Sequence, residues 1–141
     1  MEQRDFITRE IERIAQVLGR LLTRLAGLNS GGVGEQSSSA VCYNALREEL
    51  NLDTDKLLQL SRCEAIEYLT NELNFIPEHL EMLQDILLAV ADDPETDSSR
   101  RYYLHCLVLT IADYLEHDLQ RFSFSRLETI GRLREELMRE S

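Results

Sequence analysis

The chain holds three cysteines, no tryptophan and far fewer basic than acidic residues. Cys42, Cys63 and Cys106 form no C-x-x-C pair and their number is odd, which argues against a disulfide framework. Each is expected as a reduced, half-buried small hydrophobe, which points to a reducing cytosol. No apolar stretch approaches the roughly twenty residues needed to cross a bilayer. Glu2, Asp5, Glu10 and Glu12 interrupt the N-terminal segment, so it does not read as a secretory signal. These absences predict a cytoplasmic protein with no membrane association. Strand alternation is also missing, which leaves an all-α fold.

A chain of 141 residues fits one domain and typically buries about two-thirds of its unfolded surface, so no metal or disulfide staple is needed. The net charge is −11, unevenly spread. Residues 1–28 carry five Arg against four acids, and the remainder carries ten basic against twenty-two acidic residues. Such a field repels nucleic-acid phosphates, and no nucleic-acid partner is expected.

The clearest positive signal is a helix predicted from Arg4 to Leu28. Phe6, Ile7, Ile11, Ile14, Val17, Leu18, Leu21, Leu22, Leu25 and Leu28 line one broad side. At about 100° per residue, Arg9, Arg13, Arg20 and Arg24 gather opposite, within an arc of roughly 60°. The apolar stripe occupies nearly half the circumference, more than one neighbour usually covers. This helix is therefore expected to pack on the body and also on a partner or a second copy, making a homodimer. The candidate interaction residues are Ile14, Leu18, Leu21 and Leu25, with the four arginines on the opposite face.

Residues 29–39 are rich in Gly and Ser and read as a flexible linker that lets the first helix move relative to a body spanning residues 40–141. Gly31, Gly32 and Gly34 do not form a phosphate loop, because no G-K-[ST] follows and no strand precedes. Helical spacing resumes from Ser39 and stops near Asn51, a residue that tolerates the left-handed cap position. A short turn follows at Thr54–Leu60. Ser61 and Glu64 form a capping box, and Pro77 suits a first helical position. Asp92, Asp93 and Pro94 end that helix, Asp97 or Ser98 caps a long one to about Gln120, and Ser125 with Glu128 opens the last. The segments starting at Leu46 (LREELNLDTDKL) and Leu69 (LTNELNFIPEHL) echo each other. Each predicts a helix ending at Leu-Asn and an apolar plug, Leu52 or Phe75, folding back on the last turn.

Candidate chemistry is sparse. Cys106, Thr110, Asp113 and His117 share one side of the long helix, but Cys106 and His117 lie about 16 Å apart along its axis, too far for a dyad. Asp113 and His117, at i and i+4, could touch or share a metal, with His79 joining from the neighbouring helix. Two or three such residues do not make a site, and no catalytic residue, metal or cofactor is assigned. Arg100, Arg101, Tyr102 and Tyr103 combine charge with aromatics, yet Asp92, Asp93, Glu95 and Asp97 stand upstream to neutralise the arginines, and the tyrosines suit a helix interface.

The segments RDFITREIERIAQVLGRLL, LNLDTDKLLQLSRCEAIEYL and FSFSRLETI resemble a group of small uncharacterised bacterial helical proteins with a tetratricopeptide-like body. The resemblance implies an array of helical hairpins in a bacterial, cytoplasmic protein and carries no catalytic residues. The chain lacks the W-x2-L-G start and the 34-residue period of true tetratricopeptides. The expected function is a non-enzymatic helical interaction or self-assembly module. Its alternatives are a binder of small apolar ligands, suggested by abundant Leu without Trp, and a weak metal-dependent or acid–base enzyme using Asp113, His117 and His79.

Overall fold

The computed structural model describes residues 2–29, 38–120 and 124–140, and every regular element among them is helical. The order is α1 (Glu2–Asn29), α2 (Ser38–Leu50), α3 (Thr54–Gln59), α4 (Arg62–Glu67, continued by a π-helical turn Tyr68–Glu72), α5 (Pro77–Ala91), α6 (Ser98–Asp113, continued by a π-helical turn Tyr114–Asp118) and α7 (Phe124–Glu140). α5 packs between α1 and α6 and also touches α2, while α6 further contacts α3, α4 and α7. The predicted linker falls mainly on residues outside those described. At its ends, Asn29 belongs to α1, and Ser38 and Ser39 belong to α2. Ser39 is buried, with its backbone N–H and hydroxyl both donating to the Asp93 carboxylate.

Helix α1 is held along its middle. Ile14, Val17, Leu18, Leu21 and Leu25 are all buried in one core with Cys42, Leu46 and Leu50 of α2 and Leu80, Leu83, Ile86, Leu87 and Val90 of α5. Each such aliphatic side chain contributes about 1.5–3 kcal/mol when fully buried. Leu104, Leu107, Val108, Ile111 and Leu115 extend the same core through α6. The last helix is thinner in its contribution. Ile130 and Leu133 are buried, whereas Leu127 and Met138 are exposed. α7 starts at Phe124, so Ser125 lies inside its first turn and not at its cap.

The helix ends follow their sequence signals. Ser61 and Glu64 form the reciprocal capping box, Asp97 accepts from the Arg100 N–H at 2.7 Å, and Pro77 opens α5. Asn51 and Asn74 both adopt positive φ, 57° and 61°. Beyond them Leu52 and Phe75 are buried, and their N–H groups reach back to the carbonyls of Leu46 (3.0 Å) and Leu69 (2.9 Å). The echoed segments are thus one corner used twice. A third helix ends the same way, at Gln120 with φ 54°. Tyr68-Leu69-Thr70-Asn71-Glu72-Leu73-Asn74 and Tyr114-Leu115-Glu116-His117-Asp118-Leu119-Gln120 both place Tyr at the start of the π turn, and there Leu73 and Leu119 donate to Tyr68 and Tyr114 (3.1 and 3.2 Å).

Buried and partly buried polar groups tie the layers together. Gln84 donates to the Val108 carbonyl at 3.1 Å, linking α5 to α6. Arg101 caps the C-terminal end of α5 by donating to the Ala91 (2.7 Å) and Thr96 (3.0 Å) carbonyls. The Tyr68 hydroxyl donates to the Asn51 carbonyl and accepts from the Asp53 N–H, fastening the first corner to α4.

Gly19 sits in α1 where a Cβ would stand 3.8 Å from Met82 Cε of α5, an ordinary contact. Alanine is favoured over glycine inside a helix by about 1 kcal/mol. Gly19→Ala should therefore raise the unfolding free energy by about 0.5–1 kcal/mol in urea titration, whereas a loss would mean that α1 and α5 lie closer than described.

Candidate functional site

The residues singled out from sequence separate into distinct places. Ile14, Leu18, Leu21 and Leu25 are covered by the chain's own core. Two of the four arginines bridge α1 to α2: Arg13 donates to the Glu49 carbonyl and pairs with Glu10 at 2.6 Å, and Arg20 pairs with the Glu49 carboxylate at 2.6 Å. The hydrogen bonds from Arg13 hold the Glu10 carboxyl below its usual range. Arg9 and Arg24 are exposed and have no ion pair among the described residues. Among the side chains of the stripe whose burial the structure describes, the exposed ones lie toward the N-terminal end of α1. Phe6 is 69% exposed and Ile7 57%, though both belong to the same apolar stripe.

These two side chains border a cavity of about 310 Å³ completed by Glu10 and Ile11 of α1 and by Thr70, Asn74 and Ile76 from the corner between α4 and α5. Thr70 also lines a second cavity, of about 770 Å³, between α4 and α6. Its walls are Arg62, Cys63, Ile66, Glu67, Thr70 and Asn71 from α4 and its π turn, and Thr110, Asp113, Tyr114, His117 and Asp118 from α6 and its own. Thr70 is common to the walls of both cavities. Both π turns contribute to the walls, and such widened turns occur often at functional sites because the extra residue per turn re-aims the side chains.

The α4–α6 cavity holds the groups that could do chemistry. Asp113, Glu116 and His117 offer ligand atoms within 4.8 Å of one another. The carboxylate of Asp113 is already taken from both sides, by Arg62 at 2.6 Å and Arg134 at 2.8 Å, and Arg134 also stands 3.7 Å from Glu116. A divalent cation would have to displace two guanidinium groups, so the donor set does not fit a metal. Glu67 and Asp118, in contrast, are exposed and have no cationic partner among the described residues.

His79 does not join Asp113 and His117. Its ring is buried, with Nδ1 accepting from the Ile76 N–H at 3.1 Å and Nε2 at 3.0 Å from the Ile11 carbonyl, which fixes the neutral tautomer that donates from Nε2. The ring also meets Phe75 edge-on at 5.7 Å. It is a bridge from α5 to α1. Arg100 and Arg101 are likewise structural, and not through the acids expected to neutralise them. Arg100 stacks on Tyr43, donates to its hydroxyl at 3.1 Å and pairs with Asp55 at 2.8 Å. Tyr102 and Tyr103, expected at an interface between helices, are exposed and pack edge-to-face on each other.

The cysteines differ from the uniform half-burial expected of them. Cys42 is buried, and burial raises its thiol pKa to about 11. Cys106 is partly covered, and Cys63 is exposed on the α4–α6 cavity. Sequence reasoning placed Cys106 with Thr110, Asp113 and His117. The cavity takes the last three and substitutes Cys63, which helix periodicity within α6 could not reveal because it comes from α4.

No family model, characterised protein or solved structure gives a significant match to the chain. No helix among the described residues is long and apolar enough to cross a membrane.

Burial holds the His79 pKa below its ordinary 6.5, against the weaker opposing pull of the Ile11 carbonyl and Glu78. Between that lowered value and 6.5 the unfolded chain binds more protons, so this group's contribution is full above 6.5 and is lost as pH falls through the window. Urea unfolding at about pH 5.5 and about pH 7.5 should show a lower free energy at the acid value, and His79→Gln should reduce that difference. An unchanged difference would place the titration elsewhere. The thiols give a second expectation: with a disulfide reagent, Cys63 reacts first and Cys63→Ser removes the fast phase, while Cys42 reacts only on unfolding. A fast phase that survives Cys63→Ser would contradict this placement.

Proposed function

We propose that the chain is a non-enzymatic helical interaction module that docks a partner through the end of α1 and the groove leading from it. The observation that carries this reading is the contrast along one stripe. Its middle is sealed into the core while Phe6 and Ile7 stand exposed at the mouth of a cavity. Large apolar side chains exposed together beside a groove favour contact with another molecule. The groups proposed for catalysis are engaged in ways that argue against it: Asp113 by two arginines, His79 by two backbone groups.

A second copy bound through Phe6 and Ile7 is the self-assembly form of the same proposal. The tetratricopeptide-like reading is supported by the consecutive packing of α5, α6 and α7 and by the repeated corners. In a solenoid, though, each unit touches only its neighbours, whereas α1 packs on α5. Our reading is therefore a closed bundle with its groove on the outside.

A benzophenone-bearing amino acid in place of Ile7, with Glu48 on the exposed face of α2 as control, tests the proposal in cells. The expected result is a discrete protein adduct from position 7 that Phe6→Ser abolishes. An adduct at twice the chain's mass identifies self-assembly. Equal, diffuse labelling from positions 7 and 48 would refute a docking role.

A further inference from the structure

The groove divides by character, and that division restricts its occupant. Its α1 portion is mostly apolar, with Phe6, Ile7, Ile11 and Ile76 beside Thr70, Asn74 and Glu10, whose carboxylate is paired with Arg13. The α4–α6 cavity, which shares Thr70, keeps apolar surface in Ile66 and Tyr114 but adds the carboxylates of Glu67, Asp113 and Asp118. Arg62 is neutralised by Asp113, and Arg134 by Asp113 and Glu116. Glu67 and Asp118 remain as two exposed carboxylates with no cationic partner among the described residues. The chain as a whole carries −11. Two copies would repel at long range, and of the α1 arginines Arg13 and Arg20 are committed to Glu10 and Glu49 while the exposed Arg9 and Arg24 do not line the groove.

From this juxtaposition of an exposed apolar end with an unpaired acidic rim, and resting on the docking function proposed above, we infer that the groove binds a cationic amphipathic helix of another protein. Its apolar face would lie along Ile76, Thr70 and Ile66 and end against Phe6 and Ile7. Its Lys or Arg side chains would meet Glu67 and Asp118. α4 and its π turn run from Arg62 to Glu72, on the order of 16 Å at 1.5 Å per residue, which about three helical turns of ligand would match. Helix-in-groove recognition uses apolar anchors at i, i+3, i+4 and i+7, with charges at the rim setting partner choice and association rate.

The test uses the full chain and two fluorescent synthetic peptides, a Leu/Lys amphipathic helix of about four turns and its Leu/Glu counterpart. The Lys peptide should bind, the Glu peptide should not, and bound peptide should slow alkylation of Cys63, which lines the groove. Glu67→Gln with Asp118→Asn should weaken binding roughly tenfold, and Phe6→Ser with Ile7→Ser by a similar factor. All four positions are exposed, and unchanged melting temperatures verify that the variants fold. Glu135→Gln with Glu136→Gln changes the net charge equally on α7 and should leave affinity unaltered. Equal weakening by that control pair, no protection of Cys63, or preferential binding to anionic lipid vesicles through Phe6 and Ile7 would overturn the inference. An adduct at position 7 together with a failed peptide titration would leave the docking role standing and remove only the cationic occupant.

Discussion

Burial of the middle of α1 against α5 is the contact on which the remaining arrangement depends. It seals the core on the side away from α6, and it sets α1 close enough to α2 for Arg13 and Arg20 to reach Glu49. It also brings the Ile11 carbonyl to the buried ring of His79, so one hydrogen bond joins residues 68 apart in the chain. Once Ile14, Leu18, Leu21 and Leu25 are fixed inward, helical geometry carries Phe6 and Ile7 out past the α4–α5 corner. The exposed end of α1 follows from the burial of its middle.

Electrostatics adds a second constraint. Most of the arginines that looked available for binding serve the fold. Arg100 and Arg101 hold helix ends and loops, Arg62 and Arg134 share Asp113, and Arg13 and Arg20 join α1 to α2. Exposed pairs of this kind are each worth about 0–1 kcal/mol, so their effect lies more in using up positive charge than in stability. The surplus is negative, and along the α4–α6 groove it resides on Glu67 and Asp118. Asp113 is saturated with arginine, and buried His79 spends both ring nitrogens on the backbone.

Much of this was legible in the sequence because it is local. Ser61 with Glu64, Pro77 and Asp97 mark helix starts through hydrogen bonds or fixed φ within a few residues, and Asn51 and Asn74 mark stops through a left-handed conformation that Asn tolerates. The stripe on α1 announced burial but not where burial ends, since Ile7 and Ile14, seven residues apart and about 20° from each other around the helix, look alike to periodicity. Their difference comes from how far α5 extends beneath them. The π turns were invisible too: Tyr68 and Tyr114 fit an ordinary helix in sequence, and the bonds from the Leu73 and Leu119 N–H groups back to them are seen only in the structure. The groove required Cys63 and Ile66 of α4 to face Asp113 and Tyr114 of α6, a pairing between segments some fifty residues apart that no single-helix pattern encodes.

The most direct test of the central claim is native-state amide hydrogen exchange along α1. If the middle of α1 is part of the core, the amides of Leu18 and Leu21 exchange only through global unfolding, with the same free energy as those of Leu83 and Leu87 in α5. Exchange of Leu18 and Leu21 through a cheaper opening that leaves α5 protected would show that α1 is a detachable arm, and the account of the groove built on its fixed end would fail.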